Sequence, residues 1–216
     1  MRRIWFTIAV CLACTLARAG GDDKKNVDSK FYCLDLQPKG NARVLDMFSG
    51  DDNGEGKLTP GERTLEGVKF KIGAKYLQLG STNQPNGPAK LEDIKVDRVL
   101  TKLHLLQATG WSTADDTIIG EYVVTWEDDT TVTIPIRYGK DLLDWWFDES
   151  SPEPSEAKVA WQGANRQAQA MGKKVRLYLA SWENPKPDKK VKTIDFTTSK
   201  ETPCGPFCVA ITAEGK

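Results

Sequence analysis

The chain is poor in histidine, with His104 alone in 216 residues. A Ser-His-Asp or Cys-His nucleophile needs a histidine base, so catalysis of that kind would rest on this one residue. His104 lies between Leu103 and Leu105 in a β-like run, the setting of a packed or hydrogen-bonded histidine rather than a base. A histidine-built metal site is excluded on the same count. No G-x-S-x-G, H-E-x-x-H or phosphate-cradling glycine loop occurs. Neither an internal repeat nor an apolar run long enough to span a bilayer follows residue 19.

Cysteine is also sparse, and its use depends on the N-terminus. Met1-Arg2-Arg3 gives a positive start, Ile4 to Leu16 an apolar core, and Ala17-Arg18-Ala19 a cleavage site, so residues 1–19 predict a signal peptide and a mature chain beginning at Gly20. Lipidation at Cys14 is the alternative, with Cys11 standing where a leucine is expected. Export predicts a secreted, periplasmic or cell-envelope location and no membrane insertion after cleavage. Cys33, Cys204 and Cys208 then remain. One disulfide from Cys33 to Cys204 or Cys208 would clasp the chain ends if their strands are neighbours; three buried free thiols are the other reading. Cleavage also removes three arginines, leaving 27 basic against 30 acidic residues, a net charge of −3. That balance points away from nucleic acid and anionic membranes.

What the chain has in quantity is short alternating runs between turn residues. Residues 20–30 are charged and without an apolar period, a flexible leader. Residues 31–216 are then of a size for one β-sandwich domain. In "IIGEYVVTWEDDTTVTIPIRYG" (118–139), Tyr122, Val124 and Trp126 alternate outward and Val132, Ile134 and Ile136 alternate back across Asp128-Asp129, which predicts a β-hairpin. Val175, Leu177 and Leu179 likewise predict one face of a strand. Helical competition is confined to "SEAKVAWQGANRQAQAMG". Nine or ten short strands without β-α alternation predict an all-β antiparallel sandwich or jelly roll.

Several segments, in one order, carry a resemblance. "LTPGERTLEGVKFKIG", "KLHLLQATGW", "IIGEYVVTWEDDTTVTIPIRYGKDLLDWW", "AWQGAN", "LYLASWENPKPDKKVKTIDF" and "PFCVAIT" together resemble a galactose-binding-like β-sandwich domain of secreted bacterial proteins, the jelly-roll type shared with many carbohydrate-binding modules. The resemblance covers residues 31–213 and implies ligand binding more than any activity, since a fold does not determine function.

Two sets of residues are candidates for a site. "DDNGEGKLTPGE" (51–62) places Asp51, Asn53, Glu55 and Glu62 at the spacing of an EF-hand calcium loop. However, Gly67 and the alternating Val68, Phe70 and Ile72 that follow predict a strand where an EF-hand needs a helix. In the resembled family the turn before such a strand reads as Asn53, Leu58, Pro60 and Gly61 do here. An acidic turn without metal is therefore the reading taken, with calcium bound by the loop alone as its alternative.

The second set is aromatic. Sugar C–H patches stack on tryptophan faces while carboxylates and amides bond the hydroxyls. Trp126, Trp161 and Trp182 fall in strand-like runs and predict core. Trp111 follows Gly110 at a strand end, and adjacent Trp145 and Trp146 point opposite ways if extended, one inward and one toward Asp144 and Asp148. These five residues, Trp111, Trp145, Trp146, Asp144 and Asp148, are the candidate ligand site. The expected function is non-catalytic binding of a carbohydrate or a glycan-bearing partner, with no cofactor beyond the calcium alternative. An envelope interaction module without a sugar site comes second, and third a hydrolase using two of Asp115, Asp116, Glu121, Asp141, Asp144, Asp148 and Glu149.

Overall fold

The structure, a computed structural model, describes residues 30–216. Residues 1–19, expected to be a signal peptide, and 20–29 of the expected leader lie outside the described residues. In chain order the elements are β1 Phe31–Cys33, β2 Ala42–Arg43, α1 Val44–Met47, β3 Gly61–Leu65, β4 Val68–Ile72, β5 Lys75–Gln78 and β6 Lys90–Val99. Then come β7 Lys102–Gly110, β8 Ile118–Trp126, β9 Thr131–Arg137, β10 Trp146–Phe147, β11 Lys158–Gly163, α2 Arg166–Ala170, β12 Lys174–Glu183, β13 Lys190–Thr197 and β14 Gly205–Glu214. All pairings between these strands are antiparallel, and the sheets pack as a sandwich-like all-β fold.

The central sheet runs β10-β12-β7-β14-β5-β2, with β1 added along β14 and β11 along β12. Its middle is buried on both faces, because every residue of β14 and seven in succession of β7 are shielded from solvent. One face meets the second sheet, β6-β13-β8-β9. There Tyr122 of β8 stacks on Phe196 of β13 at 4.8 Å and its hydroxyl donates to Gln107 Oε1 of β7 at 2.8 Å, satisfying two buried polar groups across the layers. The other face is covered by the β3–β4 hairpin and the segment around α1. Thr212 Oγ1 of β14 donates to the Lys69 carbonyl of β4 at 2.7 Å, and Phe48 packs edge-on against Tyr76, Trp145, Trp161 and Phe207.

The expected hairpin at 118–139 forms as β8 and β9, with Val124 opposite Val132 and Tyr122 opposite Ile134. Asp129 takes a positive φ of 59° in its turn, a conformation that aspartate tolerates better than most side chains. The nine or ten runs become fourteen strands. The longest one missed is β6, where six of ten residues are charged. It is an edge strand with irregular pairing to β13, and Asp93 and Asp97 turn to positive φ within it. Bulges interrupt strict alternation, and charge on an edge deters further pairing, so both hide the strand from a period-two reading.

The disulfide expectation is corrected. β1 and β14 are neighbours, but Cys33 pairs with Thr212. Cys208 lies four residues further along β14, about 13 Å away at the rise of a strand, whereas bridged Cα atoms are at most about 7 Å apart. All three thiols are free. Burial pushes both Cys204 and Cys208 up to about 12. Since only thiolate reacts, a thiol reagent at pH 8 should leave both cysteines unmodified in the native protein and label them after unfolding. Rapid native labelling of Cys208, read by peptide mass spectrometry, would contradict its placement.

His104 sits in the central sheet as a bonded core residue. Its Nδ1 is 2.8 Å from Ser181 Oγ and its Nε2 is 2.8 Å from Glu214 Oε2, whose other oxygen meets Lys30 at 2.7 Å. Ser181, His104 and Thr212 are cross-strand neighbours in register, so the constellation follows from the sheet itself.

Candidate functional site

An aromatic concavity of about 420 Å³ opens at one end of the central sheet where β7 stops. At its exit, Trp111 adopts φ 63°, an uncommon conformation for a bulky aromatic. Its carbonyl is held by the Cys204 thiol at 3.3 Å, and the residue is 40% exposed. The backbone thus presents the indole to solvent instead of folding it into the core.

Opposite Trp111 runs the segment 144–147. The Trp145 N–H donates to the Thr109 carbonyl at 2.9 Å and its carbonyl accepts from the Arg176 N–H at 2.8 Å, so this segment is stitched between β7 and β12. Successive residues point to opposite sides, and Trp145 is buried at 6% exposure against Phe48 and Phe207 while Trp146 is half-buried. Both still border the cavity, their rings tilted 45° apart with centroids at 6.2 Å. The buried Trp146 Nε1–H has no hydrogen-bond partner. A buried donor left unmet costs the native state free energy.

Asp144 lies between the two aromatic groups. Its Oδ1 accepts the Trp146 N–H at 3.0 Å. Burial raises its carboxyl above the ordinary aspartate value, opposed by that backbone bond, by nearby Arg176 and Lys173 and by the Ser112 hydroxyl. Among the described residues it is the only charged side chain that borders the cavity.

Four of the five expected residues, Trp111, Asp144, Trp145 and Trp146, are therefore brought together. Asp148 is not. It lies in a separate surface depression with Glu149 and Lys174, and its carboxylate is engaged by Lys173 and by the hydroxyls of Ser150 and Ser151. That engagement holds the Asp148 carboxyl well below the usual range. The chain turns between Phe147 and Ser151, and this turn sends the acid away from the tryptophans.

Other residues of the site had no local signal. Gln78 on β5 and Gln84 in the following loop form the polar wall, with Gln78 Nε2 donating to Gln84 Oε1 at 3.1 Å. Gly205 lets them approach, since a Cβ there would stand 2.8 Å from Gln84 Oε1. Gln167 and Met47 close the far side, and Asn165 joins them. Its Oδ1 caps α2 by accepting the Ala168 N–H at 2.7 Å, and its Nδ2 donates to the Met47 carbonyl at 2.8 Å. These residues are distant in sequence from Trp111, Trp145 and Trp146.

The 51–62 loop supports that far wall. The Gly50 N–H donates to the Ala164 carbonyl and the Ala164 N–H to the Gly56 carbonyl, both at 3.1 Å, while Asp52 pairs with Arg166 at 3.0 Å. Gly56 needs its φ of 65°, and a Cβ on it would lie 2.8 Å from Ala164 N. Asp51 Oδ1 is taken by the N–H groups of Asn53 and Glu55 at 2.9 and 2.8 Å. Glu62 belongs to β3 and pairs with Lys69 at 2.8 Å. Among the described residues no three His, Cys, Asp or Glu side chains group closely enough for a metal ion. Adding millimolar calcium should thus move the melting temperature by less than about 1 °C, because a ligand stabilises only what it binds. A rise of several degrees that Asp51→Ala abolishes would make this a metal loop.

Of the other carboxylates, Asp116 pairs with Lys140. Asp141 borders a second cleft with Glu156 and Trp182, and its Oδ2 accepts the Arg137 N–H at 2.7 Å. Trp126 is buried as expected, while Trp161 and Trp182 are half-buried against the core. No helix among the described residues is long and apolar enough to cross a membrane. No protein-family model matches this chain, and no curated protein is significantly similar to it.

Proposed function

We propose that the cavity binds carbohydrate and that the protein is a non-catalytic glycan-binding module, exported to the periplasm, envelope or medium. The observation that carries this reading is the meeting of an exposed indole at Trp111 with the Trp146 indole, the Asp144 carboxylate and side-chain amides in one concave site. Apolar faces stack on sugar C–H surfaces, and amides and a carboxylate accept and donate to hydroxyls. The all-β architecture is consistent with the resembled galactose-binding-like domains, which remains a supporting analogy.

The test is retention of the full chain on immobilised polysaccharides. Trp111→Ala should lower retention about tenfold or more, as loss of a central aromatic contact does at binding sites. Trp146→Phe keeps an aromatic ring but removes the Nε1–H. The smaller ring should weaken binding by about twofold to fivefold through lost stacking area while leaving the melting temperature unchanged or higher, since the donor it removes is unsatisfied in the free protein. Retention unchanged in both variants, or a wild-type chain held by no glycan, would leave the envelope-interaction reading in its place.

A further inference from the structure

We infer that the site continues past the glutamine wall into a second, amide-lined cavity, so that its ligand is an uncharged oligosaccharide of at least two sugar units. This rests on the carbohydrate reading of the tryptophan cavity. The second cavity is also about 420 Å³ and is bordered by Asn83, Asn86 and the prolines of the 81–88 loop. Gln78 and Gln84 border both cavities, so one wall is common to the two.

That shared wall is oriented and only partly spent. Gln78 Nε2 gives its hydrogen bonds to the protein, to the Leu79 carbonyl at 2.9 Å and to Gln84 Oε1 at 3.1 Å. Gln78 Oε1 and Gln84 Nε2 have no partner among the hydrogen bonds of the described residues, which leaves one acceptor and one donor side by side where the cavities meet. Such a pair matches the hydroxyls of a polyol, each of which both donates and accepts. The exposed amides of Asn83 and Asn86 are likewise unpaired.

The loop that carries them is held in place. Lys200 Nζ donates to the Pro85 and Gly87 carbonyls at 2.5 and 3.0 Å, the Gly80 N–H to the Pro88 carbonyl at 2.8 Å, and the Thr82 N–H to the Thr202 carbonyl at 3.0 Å. Gly80 and Gly87 touch so closely that a Cβ on either would lie within 2.6 Å of the other's backbone. A loop braced in this way loses little entropy when a ligand arrives.

Charge sets the class of sugar. Among the described residues that border the two cavities Asp144 is the only charged one, in a chain where 28% of residues are charged. Lys200, the cation beside the second cavity, spends its ammonium on the Pro85 and Gly87 carbonyls, and Asp144 would repel a uronate or sulfate. Amides and indoles suit neutral hydroxyls.

The experiment is calorimetric titration of the full chain with β-1,4-linked glucose, mannose and N-acetylglucosamine oligomers of one to six units, and with oligogalacturonates of matching length. For the neutral series that binds, affinity should rise about tenfold or more from one unit to three, and the oligogalacturonates should bind at least tenfold more weakly. The double variant Asn83→Ala/Asn86→Ala should lose the gain with length and keep the affinity for the single unit. Affinity independent of length, or a length gain that the double variant retains, would overturn the second subsite and leave the tryptophan site standing. Tighter binding of the oligogalacturonates would overturn the uncharged class. Binding of none of the probes would remove the carbohydrate reading and this inference together.

Discussion

Phe48→Ala should lower the free energy of unfolding by about 3–5 kcal/mol, the range for an aromatic removed from a closed core. Phe48 is fully shielded from solvent and follows directly on the single turn of α1. Its ring meets those of Trp145, Trp161, Tyr76 and Phe207 at 5.6 to 6.2 Å, each edge-on, so one truncation ends four contacts between aromatic quadrupoles. These partners come from β5, β11, β14 and the strand-like segment before β10, so the ring is where the N-terminal cover joins the central sheet. The Leu58 N–H also donates to the Phe48 carbonyl at 3.1 Å, but that backbone bond survives the substitution. Urea unfolding reads the effect: the midpoint should fall while the slope stays near the wild-type value. A loss below about 1 kcal/mol would show that the ring is not closed in as described.

The second large effect distinguishes the two kinds of tryptophan in one site. Trp145→Ala should cost about 3–5 kcal/mol and remove glycan binding with it, because Trp145 is at once core and cavity wall. Its ring supports Trp146 at 6.2 Å and Phe207 at 5.9 Å, and emptying that volume lets both move. Trp111→Ala, by contrast, should leave stability within about 1 kcal/mol, since a surface side chain away from core packing costs little. Alanine keeps the Cβ, so the backbone strain at φ 63° is the same in both proteins and does not enter the comparison. Thermal unfolding of the two variants side by side checks the contrast. Equal destabilisation by both would mean that Trp111 is a packing residue and that the site lacks its exposed face.

The site was partly legible because part of its information is local. Trp111 beside Gly110 and the Asp144-Trp145-Trp146 run could be singled out, since a strand end and an alternating pair both follow from adjacent residues. Asp148 was grouped with them only by nearness in sequence. The turn at 148–151 and the charge of Lys173, 25 residues away, settle its direction. Gln78, Gln167 and Met47 carried no mark, because each is an ordinary residue of its own segment and gains a role only where segments meet. The acidic loop shows the converse. Its calcium-like spacing is a local pattern, yet Gly50, Asp52 and Gly56 serve contacts with residues 163–166, more than a hundred positions away.

By itself the sequence determined the all-β class, the hairpin at 118–139 and the absence of a second histidine for catalysis, because alternation and composition are properties of neighbouring residues. Only the tertiary structure decided the rest. The register of β1 on β14 sets Cys33 against Thr212 and leaves the thiols free. The docking of β5, α2 and the 81–88 loop around the end of β7 makes one cavity from residues of seven stretches of chain. Register and docking are chosen by the burial and hydrogen bonding of surfaces far apart in the chain, and that choice has no period to read.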